Sequence, residues 1–191
     1  MTLQKRRKVS YRKLRSIGVR IGAMKTKLNI LIMVGLCCLL LGGCASFIAP
    51  EIGAIANEDN RITYKAGEVA EGALLNKDIQ LTYNLAGGAE QTQFTGELRF
   101  DRSLTDSFPV IKRFFLKLNW LNEEGGVLQT VDITPAYSYL HYAPNKMKID
   151  RKIPVAPGSI SYCFNYYGVF QGEKPDVTEE WDIFLFPFTT P

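Results

Sequence analysis

From about residue 61 onward, apolar and polar side chains alternate along the chain with a period of two. Ile79, Leu81, Tyr83 and Leu85 alternate with Asp78, Gln80, Thr82 and Asn84; Phe94, Gly96, Leu98 and Phe100 alternate with Gln93, Thr95, Glu97 and Arg99. Phe114, Leu116, Leu118 and Trp120 continue the pattern, followed by Met147, Ile149, Ile153 and Val155. Ile160, Tyr162, Phe164 and Tyr166 share one face, as do Trp181, Ile183 and Leu185. Successive side chains of a strand point to opposite faces, so each segment predicts a strand with one buried face. Val127 to Ile133, rich in Val, Thr and Ile, predicts a seventh.

Turn-forming residues separate these segments at Ala86-Gly87-Gly88-Ala89, Asn122-Glu123-Glu124-Gly125-Gly126 and Ala156-Pro157-Gly158-Ser159. Seven or eight short strands joined mostly as hairpins predict an all-β domain over 61–191, a single antiparallel β-sandwich of immunoglobulin-like architecture. Trp120 and Trp181 are expected as core anchors. Helix is expected only at the N-terminus and in a turn around Gly67 to Leu75.

Composition alters the picture mainly through where the charge sits. The chain has 191 residues, 46% of them hydrophobic and 22% charged, which excludes a disordered tail and a polytopic membrane protein. Its net charge of +4 is uneven. Ten basic and no acidic side chains lie in residues 1–43, leaving thirteen basic against nineteen acidic in residues 44–191. The predicted domain is therefore acidic, and no nucleic-acid partner is expected for it.

The N-terminal part divides by composition. Residues 1–23 are a basic extension, with Lys5-Arg6-Arg7-Lys8 followed by Arg12, Lys13 and Arg15, and translation is expected to begin at Met24 rather than Met1. Residues 24–43 have the three parts of a secretory signal: the basic Met24-Lys25-Thr26-Lys27, the apolar run Ile30 to Leu41, and the small pair Gly42-Gly43. The sequence Leu41-Gly42-Gly43-Cys44 resembles the lipobox of bacterial lipoprotein precursors. That resemblance implies cleavage between Gly43 and Cys44 and lipidation of the Cys44 thiol. It also implies a membrane partner through the covalent lipid, and Ala45 after the cysteine points to an outer membrane with the domain facing the periplasm. The competing reading is an uncleaved anchor, because Ile30 to Ile48 is nearly long enough to span a bilayer.

Residues 44–60 read as a lipidated tether, with Pro50, Gly53 and a polar Asn57 to Asn60; Ile48, Ile52 and Ile55 have the spacing of a short amphipathic turn. Once Cys37 and Cys38 leave with the signal and Cys44 is lipidated, Cys163 has no intramolecular partner. A buried, unreactive thiol is expected there.

Candidate chemistry is sparse. His141 is the only histidine, so neither a metal site built from several imidazoles nor a cofactor is expected. Ser138 precedes His141 by three residues but lacks a glycine elbow, and Glu123-Glu124 and Glu179-Glu180 lie at turns or strand ends where solvation explains them. No catalytic residue is expected. Tyr137, Tyr139, His141 and Tyr142 form an aromatic segment suited to docking a partner protein or stacking on sugars, or to roofing one end of the sandwich. Lys146, Lys148 and Lys152 are expected to guard a sheet edge. The expected role is a non-catalytic binding or scaffolding module with an envelope protein partner; glycan binding through the tyrosines, and a small envelope enzyme, are the alternatives.

Overall fold

The computed structural model describes residues 49–173 and 179–189. The chain divides at Cys44 into Met1–Cys44 and Ala45–Pro191, and all the described residues belong to the second unit. The expected signal segment, with Gly43 and Cys44, lies outside them. Among the described residues no helix is long and apolar enough to cross a membrane.

The domain is an all-β sandwich of antiparallel sheets. In chain order its strands are β1 (Ile55–Ala56), β2 (Ile62–Thr63), β3 (Val69–Leu75), β4 (Ile79–Gly87), β5 (Gln91–Phe100) and β6 (Val110–Leu121). They continue with β7 (Val127–Asp132), β8 (His141–Tyr142), β9 (Met147–Pro154), β10 (Ser161–Gln171), β11 (Glu180–Leu185) and β12 (Phe188–Thr189). A short helix, α1 (Arg102–Ser107), links β5 to β6, with Asp101 accepting the Ser103 amide at its N-cap. One sheet runs β3-β4-β5-β9. The other runs β11-β10-β6-β7, with β2 added to β10 and β8 to β6.

The alternation read from the sequence becomes the contact between the two sheets. Ile79, Leu81, Tyr83 and Leu85 of β4 and Phe94, Leu98 and Phe100 of β5 face Phe114, Leu116, Leu118 and Trp120 of β6 and Tyr162, Phe164, Tyr166 and Phe170 of β10. Burying one such side chain is worth about 1.5–3 kcal/mol, so this layer dominates stability. The polar atoms of its tyrosines and tryptophan are paired internally. The Tyr83 and Tyr162 hydroxyls lie 3.0 Å apart, and the Trp120 indole donates to the Pro154 carbonyl at 2.8 Å. Gly96 lies close to its neighbours, and a Cβ there would come within 2.8 Å of the Thr82 carbonyl oxygen and 3.4 Å of the Phe94 ring.

β10 is buried on both faces along most of its length. Its outer face is covered near Cys163 by a second apolar cluster of Ala56, Leu121, Val127, Cys163 and Phe188. The cluster forms because β1 pairs with β12, bringing the two ends of the domain together over the sheet. Residues expected within the tether are thus part of the fold: Gly53 donates to the Val127 carbonyl and Ala56 to the Gly125 carbonyl. Glu58–Asn60 forms a single 3-10 turn.

Three expectations fail. Gly67 to Leu75 holds a strand, β3, rather than a helical turn, because Val69–Leu75 pairs along its whole length with β4. Trp181 is not a core anchor: its side chain points to the inner face, but β11 is an edge strand and the indole is 52% exposed. Ile160 precedes β10 and is exposed, while Tyr162, Phe164 and Tyr166 are buried as expected.

Candidate functional site

The aromatic segment between β7 and β9 divides into a structural half and a surface half. Strand β6 is flanked by β7 over Lys117–Leu121 and by β8 over Val110–Ile111, which leaves its middle without a strand neighbour on that side. Side chains fill the gap. The Thr134 hydroxyl accepts the Leu116 amide at 2.9 Å and donates to the Leu116 carbonyl at 3.3 Å. The Tyr137 hydroxyl accepts the Phe114 amide at 2.9 Å and donates to the Phe114 carbonyl at 3.3 Å. Two hydroxyls thereby do what a strand would do, and Tyr137 is withdrawn from any binding surface.

Tyr139, Leu140, His141 and Tyr142 are exposed, each tyrosine by 62%. Leu140 has φ 56°, in the left-handed region that a leucine seldom adopts; its amide is held by the Ile111 carbonyl. His141 Nδ1 lies 2.9 Å from the Tyr139 carbonyl, an acceptor only, so Nδ1 is the donor of this bond. The Tyr142 hydroxyl donates to Glu173 at 2.8 Å, and this bond to a carboxylate raises its pKa. Lys112, carried by the irregular stretch of β6 opposite Val169 and Phe170, pairs with Glu180, and that bond raises the lysine pKa. The result is a rim of two tyrosines, a leucine and an imidazole beside Glu173 and the Lys112–Glu180 pair.

No catalytic constellation assembles among the described residues. His141 contacts no acid, Ser138 is exposed, and Glu123, Glu124, Glu179 and Glu180 all lie at the surface. The carboxylates with shifted pKa are Glu97, Asp101 and Asp132, and all three are lowered. Arg99 holds down Glu97 and Ser103 holds down Asp101. For Asp132 burial pushes upward, but bonds from Lys117 and Thr134 together outweigh it. A general acid at neutral pH needs the opposite shift. No group of three or more His, Cys, Asp or Glu side chains among the described residues is arranged to hold a metal.

Cys163 is fully buried, and burial pushes its thiol up to about 12. Beside it on the outer face of the same sheet, Thr130 donates to Asn119 at 2.8 Å and Asn119 donates to Asn165 at 2.8 Å. Sequence reasoning missed this ladder because asparagines on a strand read as solvated positions. It also missed a cavity of about 320 Å³ lined by Asp78, Ser107, Phe108 and Trp181, where the Phe108 and Trp181 rings stack at 5.7 Å. Nothing in the sequence marks it, because the alternating pattern reads Trp181 as a core residue. No protein-family model, curated protein or solved structure matches the chain.

Proposed function

We propose that this chain is a bacterial lipoprotein precursor, lipidated on Cys44 and held at the outer membrane facing the periplasm, whose β-sandwich is a non-catalytic binding or scaffolding module. The observation that carries the address is Leu41-Gly42-Gly43-Cys44 behind a basic and then apolar segment. Two or three acyl chains at Cys44 make a lasting anchor where one alone is marginal. What supports a binding role is an exposed aromatic rim together with carboxylates held low and engaged in local pairs.

Intact-mass measurement of membrane-extracted protein tests the address. A chain starting at Cys44 and carrying diacylglycerol is expected; a bare thiol with residues 1–43 attached overturns it. Affinity capture from detergent-solubilised envelopes tests the role. A partner is expected with the native chain and is expected to be lost with Tyr139→Ala/Tyr142→Ala. Retention of a glycan polymer in place of a protein would turn the same rim to sugar stacking.

A further inference from the structure

The two edges of the β3-β4-β5-β9 sheet differ in chemistry. On β9, Lys148, Asp150 and Lys152 point outward, with Lys146 just before the strand, and Pro154 ends it. Arg151 points inward yet carries its charge to the Thr134 carbonyl at 2.7 Å, closing the flank. Charges, proline and an inward arginine are the usual defences against edge-to-edge pairing. On β3 the residues are Val69-Ala70-Glu71-Gly72-Ala73-Leu74-Leu75, with one charge and no proline or bulge. Val69 is 61% exposed and Leu75 68%. Among the described residues β3 pairs only with β4, over all seven positions, so its other side presents an ordered row of backbone donors and acceptors.

The occupant is indicated by the register of this strand against itself. An antiparallel copy related by a two-fold axis through Gly72 sets Val69 opposite Leu75, Ala70 opposite Leu74 and Glu71 opposite Ala73, each pair occurring twice. Every outward residue then meets an outward residue, as cross-strand pairing requires. The two most exposed apolar side chains of the strand cover each other at both ends. Glu71, tied to Asn84 at 3.3 Å, faces an alanine rather than its own counterpart. The small Gly72 at the axis has the Tyr83 side chain across its inner face, which leaves nothing protruding to block approach. Symmetric dimers use one patch on both subunits, and this patch is complementary to itself.

We infer that β3 is a self-association edge, through which two copies of this chain join their four-stranded sheets into one continuous eight-stranded sheet. The interface does not depend on lipidation or on the aromatic rim. Co-anchoring of two copies in one membrane would raise their effective concentration and favour it.

The test is sedimentation of the detergent-solubilised full chain across a wide concentration range. The native chain is expected to dimerise. Val69→Lys/Leu75→Lys, two exchanges at exposed positions, sets like charges opposite at both ends and is expected to weaken the dimer about 100-fold or more. Val69→Lys/Leu75→Glu sets Lys against Glu twice and is expected to restore it. Thermal melts of the three proteins, taken at a concentration where the native chain sediments as a monomer, should agree, showing that the fold is intact. A native chain that stays monomeric throughout overturns the inference. So does a double-lysine variant that remains dimeric, which places the contact elsewhere, or a charge-swapped variant that remains monomeric, which means that the edge takes some other strand.

Discussion

Trp120 and Trp181 stand at equivalent places in the alternating pattern, both on the inner face of the same sheet, yet they have different fates. Trp120 lies on β6, with β10 on one side and β7 on the other; its indole is fully buried and hydrogen-bonded to Pro154. Trp181 lies on β11, beyond which no strand follows among the described residues, and it stacks on Phe108 at the rim of a cavity. Rank within the sheet, more than residue type, separates the stability-bearing centre from the rim available for binding. The same division runs through the Tyr137 to Tyr142 segment, whose first tyrosine closes the sheet while the others are exposed.

The largest expected effect that sharpens this contrast is truncation of the central tryptophan. Trp120→Ala should cost about 3–5 kcal/mol in chemical denaturation, through lost burial and the cavity left behind. Trp181→Ala should cost about 1 kcal/mol or less. Equal losses would break the comparison. Gly125 comes next: its φ is 86°, and a Cβ would meet the Arg61 guanidinium, which donates twice to the Ala56 carbonyl at 2.7 and 2.9 Å. Gly125→Ala should destabilise by about 1–3 kcal/mol and loosen the β1–β12 cover.

The tyrosines give a subtler test. Tyr137→Phe strips the Phe114 amide and carbonyl of their partner and should cost about 1–3 kcal/mol, read as a lower Tm. Tyr139→Phe should leave the melt unchanged. For Cys163 the expected result is no reaction. The native chain and Cys163→Ser should take up the same amount of a thiol reagent at pH 8, and the native chain one equivalent more in guanidinium.

The smallest effect is a pH dependence. The Asp132 carboxyl is held below its ordinary value in the fold, so it binds a proton more readily when unfolded. Its contribution to stability is present above the unfolded pKa and lost as pH falls through the folded one. Lys117→Met removes the 2.6 Å partner and should lower stability slightly in the neutral region while leaving it unchanged in strong acid, so that the acid limb becomes flatter; the effect is small because Asp132 is half-exposed.

Much of the fold was legible because burial of one strand face writes itself into alternate residues. The six alternating segments and the Val-, Thr- and Ile-rich run from Val127 to Ile133 all contain strands, and the turn at Gly125 needs its glycine. β3 was misread because Val69-Ala70-Glu71-Gly72-Ala73 lacks apolar contrast: its inward positions are Ala70, Gly72 and Leu74, small where the Tyr83 side chain crosses. Of the candidate surface, the aromatic cluster was visible but its division was not. Nothing local distinguishes Tyr137 from Tyr139, since the difference lies in an unpaired stretch of β6 more than twenty residues earlier.

Local order along the chain thus determined which residues share a face, where the turns fall, and the lipobox-like motif on which the proposed membrane address rests. Each of these is written in neighbouring residues. The tertiary structure alone decided which strands are central, which edge is guarded, which tryptophan is buried and which tyrosine is spent on the backbone. Strand order is set by hydrogen bonds and packing between segments far apart in the chain, and an alternating pattern carries the same information whether its strand ends in the middle of a sheet or at its margin.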